Sequence, residues 1–212
     1  PYRASDHDPV LVGLYAFDFS DLDSSYGVAW HGGGGDLRLG SNWQAGMDYA
    51  PGADNADDDG VTLVTATWQP GGSLTFDLTT SGPGYLAAWF DWDRDGSFEA
   101  HEKALSYTFS AAGTVRQTAI IGDDFNASST ERLPARFRLY SSEPLLGPTG
   151  NEAPSGAGNG GEVEDYSIII GPTAVRLLAF QAHSPGWPGL AILGIVAGGW
   201  LLGGFKRRER GG

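Results

Sequence analysis

Short apolar and aromatic runs alternate along this chain with clusters of glycine, proline, aspartate and asparagine. Several runs have period two: Leu74, Phe76 and Leu78 share one face of theirs, and a later run alternates apolar side chains with two arginines. Because successive side chains of a strand point to opposite faces, this pattern predicts strands with one buried face. The predicted fold class is all-β, an antiparallel β-sandwich. We expect its strands at residues 62–68, 73–79, 84–90, 104–109, 114–121, 135–140 and 163–170.

Residues 91–102, between two of these runs, have the spacing of a calcium loop. Carboxylates stand at positions 1, 3, 5, 9 and 12 of the segment, and Gly96 at position 6 allows a sharp turn. Since apolar strands rather than helices flank the segment, we expect it to join two strands and to have a binding or structural role. The alternative is an acidic Asp-Gly turn without a metal. The predicted Ca²⁺ ligands are Asp91, Asp93, Asp95, the backbone carbonyl of Ser97, Glu99 and Glu102.

The amino-acid composition excludes several classes of function. The chain has 13 Lys and Arg against 26 Asp and Glu, a net charge of −13. Residues 171–212 carry a net charge of +4, so residues 1–170 carry −17 and are by themselves a poor binder of nucleic acid. With no cysteine, disulfides and thiolate metal sites are excluded. The chain begins at Pro1 and its single methionine is Met47, so we interpret it as the C-terminal piece of a longer protein.

The first residues carry a second motif, Ser-Asp-His-Asp-Pro-Val at 5–10, followed by an apolar run. It resembles the C-terminal motif of the endonuclease/exonuclease/phosphatase hydrolases. The resemblance implies that His7 is the general base that activates water, that Asp6 orients it or helps at the metal site, and that residues 10–14 are the last core strand. It also implies Mg²⁺ or another divalent metal. The rest of that site belongs upstream, so we expect this fragment alone to be inactive and nucleic acid to be bound only through the missing domain.

The sequence Gly-Glu-Val-Glu-Asp at 161–165 resembles the bacterial module named for that motif, the GEVED domain. The segment 57–61, the tryptophan-containing run into 89–98 and the arginine-rich run 136–139 resemble further segments of the same family. Its opening motif is degenerate here, at residues 18–23. The resemblance implies a β-sandwich of bacterial surface or secreted proteins that binds calcium and has no established catalysis. Glu162, Glu164 and Asp165 then either add metal ligands, form a solvated strand edge, or accept hydrogen bonds from Arg136 and Arg138.

Residues 187–205 contain no charged side chain and lead directly into the basic segment 206–210. As a helix this span is about 28 Å long, close to the thickness of a bilayer's hydrocarbon core. The following basic residues predict a cytoplasmic C-terminus. The alternative is a buried core helix. The arrangement also resembles bacterial C-terminal sorting tails, which are retained or cleaved after export.

Together these features predict five segments. Residues 1–14 end a truncated hydrolase, 15–171 form the GEVED-like sandwich, 172–186 are a linker, 187–205 a transmembrane helix and 206–212 a cytoplasmic tail. The predicted function is a calcium-stabilised spacer or positioning module and membrane anchor of an exported bacterial nuclease or phosphodiesterase. It is located at the cell envelope or surface, or released by tail cleavage. The alternative is a surface adhesin or ligand-binding module, without a hydrolase partner, that binds surface glycans on Trp68, Trp89 and Trp92.

Overall fold

A computed structural model describes residues 16–32, 35–43, 46, 49, 58–126, 131–144 and 152–171. The predictions for Asp6, His7 and the strand at 10–14 lie outside these residues, as do those for the linker, the transmembrane helix and the tail. Within the described part of the chain, no helix is long and apolar enough to cross a membrane. The described residues form ten strands: β1 Phe17–Phe19, β2 Ala29–Gly32, β3 Val61–Ala66, β4 Ser73–Thr80, β5 Gly84–Phe90, β6 Lys103–Phe109, β7 Gly113–Ile120, β8 Arg132–Tyr140, β9 Gly156–Asn159 and β10 Glu162–Ile169.

The central sheet is antiparallel and has the strand order β10-β8-β5-β6. Every residue of β5 is buried. This explains why β5 has a continuous apolar sequence, since a strand covered on both faces needs apolar or small side chains on both. Its neighbour β8 is covered on both faces as well.

The main hydrophobic core lies between this sheet and the antiparallel sheet β3-β4-β7. Phe76 of β4 packs between Phe90 and Phe137, with ring centroids 5.7 and 5.5 Å away. Leu74 and Leu78, on the same face of β4, are fully buried. Burial of each such side chain stabilises the fold by about 1.5–3 kcal/mol. The predicted apolar face of this strand is confirmed.

A third sheet, β1-β2-β9, covers the opposite face of the central sheet. In it β1 and β2 are antiparallel, whereas β2 and β9 are parallel. The His31 ring of β2 packs 5.0 Å from the ring of Tyr140 in β8. The prediction of one buried face per strand is therefore wrong for β8, where Arg136 and Arg138 are 0% exposed. Arginines occupy this covered face because hydrogen-bond acceptors of the third sheet and its loops surround them.

All seven predicted strands are present, with ends shifted by at most three residues. The all-β prediction is confirmed, and most strand pairs are antiparallel. The three strands that were not predicted, β1, β2 and β9, are the three that form the covering sheet. They have only three or four residues each, too few to establish a period of two.

Candidate metal site and the closing motif

The loop at 91–102 joins β5 to β6, as predicted, and turns sharply within its first half. The Asp91 N–H donates to the carbonyl of Pro134 at 3.1 Å, which continues the central sheet for one more residue. Arg94 and Gly96 then adopt positive φ values of 59° and 91°. This left-handed backbone is strained for arginine and readily adopted by glycine. A 3₁₀ turn, Ala100–Glu102, ends the loop at the start of β6.

The turn brings the carboxylates together in overlapping groups. Ligand atoms of Asp91, Asp93 and Glu102 lie within 4.8 Å of one another, and so do those of Asp93, Asp95 and Glu99. Oxygens 2.3–2.6 Å from one Ca²⁺ are separated by at most about 5 Å, so both groups have the dimensions of a calcium shell. Asp91 and Glu102 are 0% exposed, whereas Asp93 and Asp95 are exposed. The donor set, all hard oxygen ligands, fits Ca²⁺.

Backbone N–H groups orient the two buried carboxylates. Glu102 Oε1 accepts from the N–H of Trp92 at 2.6 Å, and its Oε2 accepts from the N–H of Glu99 at 2.9 Å. Asp91 accepts from the N–H groups of Asp95 and Gly96 at 3.2 and 3.1 Å. Burial raises the pKa of Glu102 to about 8, and it raises the pKa of Asp91 as well. A bound cation would oppose this effect, because a nearby positive charge favours the ionised carboxylate.

Ser97, Glu99 and His101 complete the loop. The Ser97 hydroxyl donates to Asp95 Oδ1 at 2.8 Å and also contacts Glu99 Oε1. The second oxygen of Glu99, Oε2, is buried without a hydrogen-bond partner among the described residues. His101, at a position that sequence spacing does not assign as a ligand, is exposed and its Nε2 lies 2.8 Å from Asp124 Oδ2. It also lies within reach of a metal shared with Glu99 and Glu102.

Tyr26, which is far from the loop in sequence, contacts two residues of the loop. The Tyr26 hydroxyl donates to Asp91 Oδ2 at 2.7 Å, and the Tyr26 ring centroid is 4.8 Å from that of Phe98. Burial and the bond to Asp91 raise the pKa of Tyr26, which keeps the hydroxyl a hydrogen-bond donor. Sequence analysis did not identify Tyr26. No local motif could have done so, because its role depends on a contact made only in the folded chain.

The carboxylates of the Gly-Glu-Val-Glu-Asp segment at 161–165, which we call the closing motif, face in two directions along β10. Glu162 and Glu164 point towards the main core side: Glu162 accepts from the N–H of Leu39, and Glu164 Oε1 accepts from those of Asp59 and Gly60 at 3.0 and 2.8 Å. The Tyr166 hydroxyl donates to Glu164 Oε2 at 3.0 Å. Burial raises the pKa of Glu164 to about 8. The side chains of the two glutamates therefore hold the loops at 39 and 59–60 through the backbone N–H groups of those loops.

Asp165 points to the opposite face and binds an arginine. Its Oδ1 accepts from Arg136 Nε at 2.7 Å, and its Oδ2 accepts from Arg136 Nη2 at 2.9 Å. The same Oδ2 accepts from the N–H groups of Asp21 and Leu22 at 3.0 and 2.9 Å. Of the alternatives for the motif, acceptance by Asp165 of hydrogen bonds from Arg136 is the one observed. All three acidic residues of the motif are buried, which excludes the solvated edge.

The two buried arginines of β8 donate hydrogen bonds to backbone carbonyls of neighbouring loops, at residue 27 and residues 154–156. Arg136 Nη1 donates to the carbonyls of Gly27 and Pro154, both at 2.7 Å. Arg138 donates to the carbonyls of Ser155 and Gly156 at 3.1 and 2.8 Å. Burial lowers the pKa of Arg138 to about 10, which leaves it charged at neutral pH. These contacts fix the segment that leads into β9.

His31 is the second partner of Arg138. Arg138 Nε donates to His31 Nε2 at 3.0 Å, so the ring must carry its proton on Nδ1, which faces the carbonyl oxygen of Gly160 at 2.6 Å. Burial, followed by the charge of Arg138, lowers the pKa of His31 to about 3. The imidazole is therefore a neutral structural bridge.

The three tryptophans considered for a glycan surface do not form an exposed platform. Trp89 and Trp92 are 2% and 1% exposed, and Trp92 stacks on Phe90 at 4.8 Å. Trp68 is partly buried and stacks on Phe125 at 6.0 Å. Their aromatic area is used in packing.

Residues 85–169 match the GEVED domain family. The match begins in β5 and ends in β10, so it contains the loop, the arginine-bearing strand and the closing motif. The predicted resemblance is confirmed over these residues. Comparison with curated proteins and with solved structures finds no match to this chain.

Proposed function

We propose that residues 16–171 form a calcium-stabilised β module that acts as a spacer or positioning element rather than as a catalyst. The observation that carries the proposal is the loop at 91–102, where carboxylate oxygens of Asp91, Asp93 and Glu102 lie within 4.8 Å of one another. Two of these carboxylates are fully buried and fixed by backbone N–H groups. Glu99 and Asp95 extend the same set, and the Ser97 carbonyl is the sixth proposed ligand.

Calcium at this position would join two strand ends of the central sheet. Asp91 directly follows β5, and Glu102 directly precedes β6. An ion that binds only the folded chain stabilises it by about 2.7 kcal/mol at a free concentration one hundred times its Kd. We call the loop with its bound ion the calcium clasp. Its role is to stabilise the module outside the cell, where calcium is abundant.

Calorimetric titration of the 212-residue chain with Ca²⁺, paired with thermal unfolding in calcium and in chelator, tests the clasp. We expect saturable heat and a higher Tm in calcium, with a much weaker effect of Mg²⁺, because Mg²⁺ demands a smaller octahedral shell. Glu102→Gln should remove both effects. Asp36→Asn, which changes an exposed carboxylate outside the loop, should keep them. Absence of calcium heat together with an unchanged Tm would refute the proposal.

The motif at residues 5–10 and the uncharged span at 187–205 support a proposed larger arrangement for this module. In it, the module separates an exported metal-dependent nuclease or phosphodiesterase from the membrane, and the basic tail lies in the cytoplasm. His7 and Asp6 belong to the hydrolase, whose divalent metal is held by upstream residues. Since two residues cannot supply that metal site, the 212-residue chain should not cleave DNA in Mg²⁺ above the level of a His7→Ala variant.

The coding sequence upstream of Pro1 decides between this arrangement and a surface adhesin. A hydrolase domain with a metal-binding glutamate and a second histidine supports the first. An unrelated upstream domain supports the adhesin and would leave the calcium clasp unaffected. Two of the three tryptophans on which glycan binding was predicted, Trp89 and Trp92, are buried.

A further inference from the structure

The 3₁₀ turn Ser24–Tyr26 lies directly against the calcium loop, although 65 residues separate Tyr26 from Asp91. It contacts the loop at two places: the Tyr26 hydroxyl bonds to Asp91, and the Tyr26 ring packs on Phe98. Ser25 is also close to the loop, since a Cβ on Gly96 would lie 3.5 Å from Ser25 Oγ. The candidate metal site is thus bounded by an element outside the loop itself.

The hydroxyl acts on the first ligand of the loop. Asp91 Oδ2 accepts from Tyr26 Oη at 2.7 Å and from the Gly96 N–H at 3.1 Å, while Oδ1 accepts from the Asp95 N–H at 3.2 Å. These bonds fix the carboxylate plane. A ligand whose orientation is fixed before the metal arrives loses less conformational freedom on binding, and outer hydrogen bonds of this kind typically change metal affinity by 10- to 100-fold.

The turn that carries Tyr26 is itself held in place from two sides. Asp23 Oδ1 accepts from the Ser25 N–H at 3.0 Å at its start. At its end, Arg136 Nη1 donates to the Tyr26 carbonyl at 3.1 Å, and the Arg136 guanidinium carbon lies 5.4 Å from the centre of the Phe98 ring. The hydroxyl therefore reaches Asp91 from a rigid support rather than from a mobile loop.

We propose that Tyr26 is a positioning residue of the calcium site, which orients Asp91 through its hydroxyl and transmits metal binding to the turn Ser24–Tyr26. The inference rests on the proposed function, since it requires that the loop binds calcium. Coupling of this kind is reciprocal. If the turn strengthens calcium binding, then calcium must also strengthen the contact of the turn with the loop.

The test compares two tyrosine variants of the full chain by calorimetric titration with Ca²⁺. Tyr26→Phe removes the hydroxyl and keeps the ring, and we expect a Kd about tenfold weaker. Tyr85→Phe is the matched control, because the Tyr85 hydroxyl also donates to a carboxylate, Glu152 Oε1, at 2.9 Å, and Glu152 is not one of the proposed calcium ligands. Its Kd should equal that of the wild type, even if its metal-free Tm is lower.

Two measurements distinguish positioning from general stability. The calcium-induced change in tyrosine ultraviolet absorbance should disappear in Tyr26→Phe and persist in Tyr85→Phe. Hydrogen exchange of the wild-type chain, which needs no variant, should slow at residues 24–27 when calcium is added. Equal Kd values for Tyr26→Phe and wild type, or equal weakening by both variants, overturn the role of Tyr26. So does unchanged exchange at 24–27 while calcium binds. Absence of calcium binding by the wild type instead refutes the proposed function, and the inference with it.

Discussion

Replacement of Asp165 by alanine tests whether the closing motif holds the sheets together. Asp165 makes two bonds to Arg136 at 2.7 and 2.9 Å and accepts the N–H groups of Asp21 and Leu22. The side chains of Arg136 and Asp165 are 0% and 1% exposed. The variant would therefore leave a buried guanidinium without its carboxylate and two backbone donors without their acceptor.

The expected loss follows from this burial. Removal of one partner of a buried ion pair typically costs about 3–5 kcal/mol, because the remaining charge is left uncompensated. The backbone donors add to the loss, and water entering the space reduces it, so we expect a total in the same range. For a domain of this size, that corresponds to a decrease in Tm of roughly 6–20 °C.

The chain contains a matched control on its outer surface. Arg116 Nε and Nη2 donate to the two oxygens of Asp77, both at 2.8 Å. Like Asp165 and Arg136, these residues stand directly opposite each other on antiparallel strands. However, their side chains are 60% and 33% exposed, so water screens the pair and Asp77→Ala should change stability little.

Urea unfolding, with midpoint and m value compared for both variants in calcium and in chelator, is the assay. We expect Asp165→Ala to lower the midpoint far more than Asp77→Ala, and by a similar amount in both solutions. A loss no larger than that of Asp77→Ala would refute the structural role. A loss seen only in calcium would show that Asp165 acts through the metal instead.

Two further predictions concern pH and backbone space. The pKa of His31 falls to about 3 in the fold, so the contribution of the neutral His31 to stability is complete above about pH 6.5 and is lost as pH falls, by about 1.4 kcal/mol per pH unit. Urea midpoints from pH 7 to 4 should therefore fall less steeply in His31→Gln than in the wild type, and equal slopes would contradict this reasoning. Gly161 has φ +76°, and a Cβ there would lie 2.0 Å from the carbonyl oxygen of Leu139, whereas Gly156 has φ +82° and open space. Gly161→Ala should therefore lower the Tm much more than Gly156→Ala, and similar Tm values for the two variants would contradict this reasoning.

Sequence patterns predicted the two sheets that form the main core because hydrophobic periodicity is itself the cause of their burial. Leu74, Phe76 and Leu78 alternate with polar residues, and β4 buries that face. The loop at 91–102 could be predicted equally well from the sequence, since calcium-loop spacing is a local property of the sequence. Its carboxylates do converge in the folded chain.

The covering sheet was not predicted because the reason for its sequence lies elsewhere in the fold. The β9 residues Gly156–Asn159 have no apolar period, and Gly158 is small because a Cβ there would lie 2.1 Å from a carbon of the His31 ring. Likewise, Arg136 and Arg138 looked like a solvent-facing row by alternation alone. Their burial depends on carbonyls contributed by residues 153–156 and on partners such as Asp165.

The two acidic clusters of this chain differ in how their charge is compensated, and this difference separates structure from metal binding. Asp165 faces the guanidinium of Arg136, while Glu164 accepts two backbone N–H groups and a hydroxyl. A cation at the closing motif would have to displace these donors or lie beside a buried positive charge. In the loop, by contrast, Asp91 and Glu102 are bonded to backbone N–H groups and the Tyr26 hydroxyl, and their ligand oxygens still approach one another and those of Asp93. Repulsion between them is relieved by a cation in their midst, so the loop is where calcium should bind, and the motif at 161–165 is the part of the domain that should hold its sheets together with or without the ion.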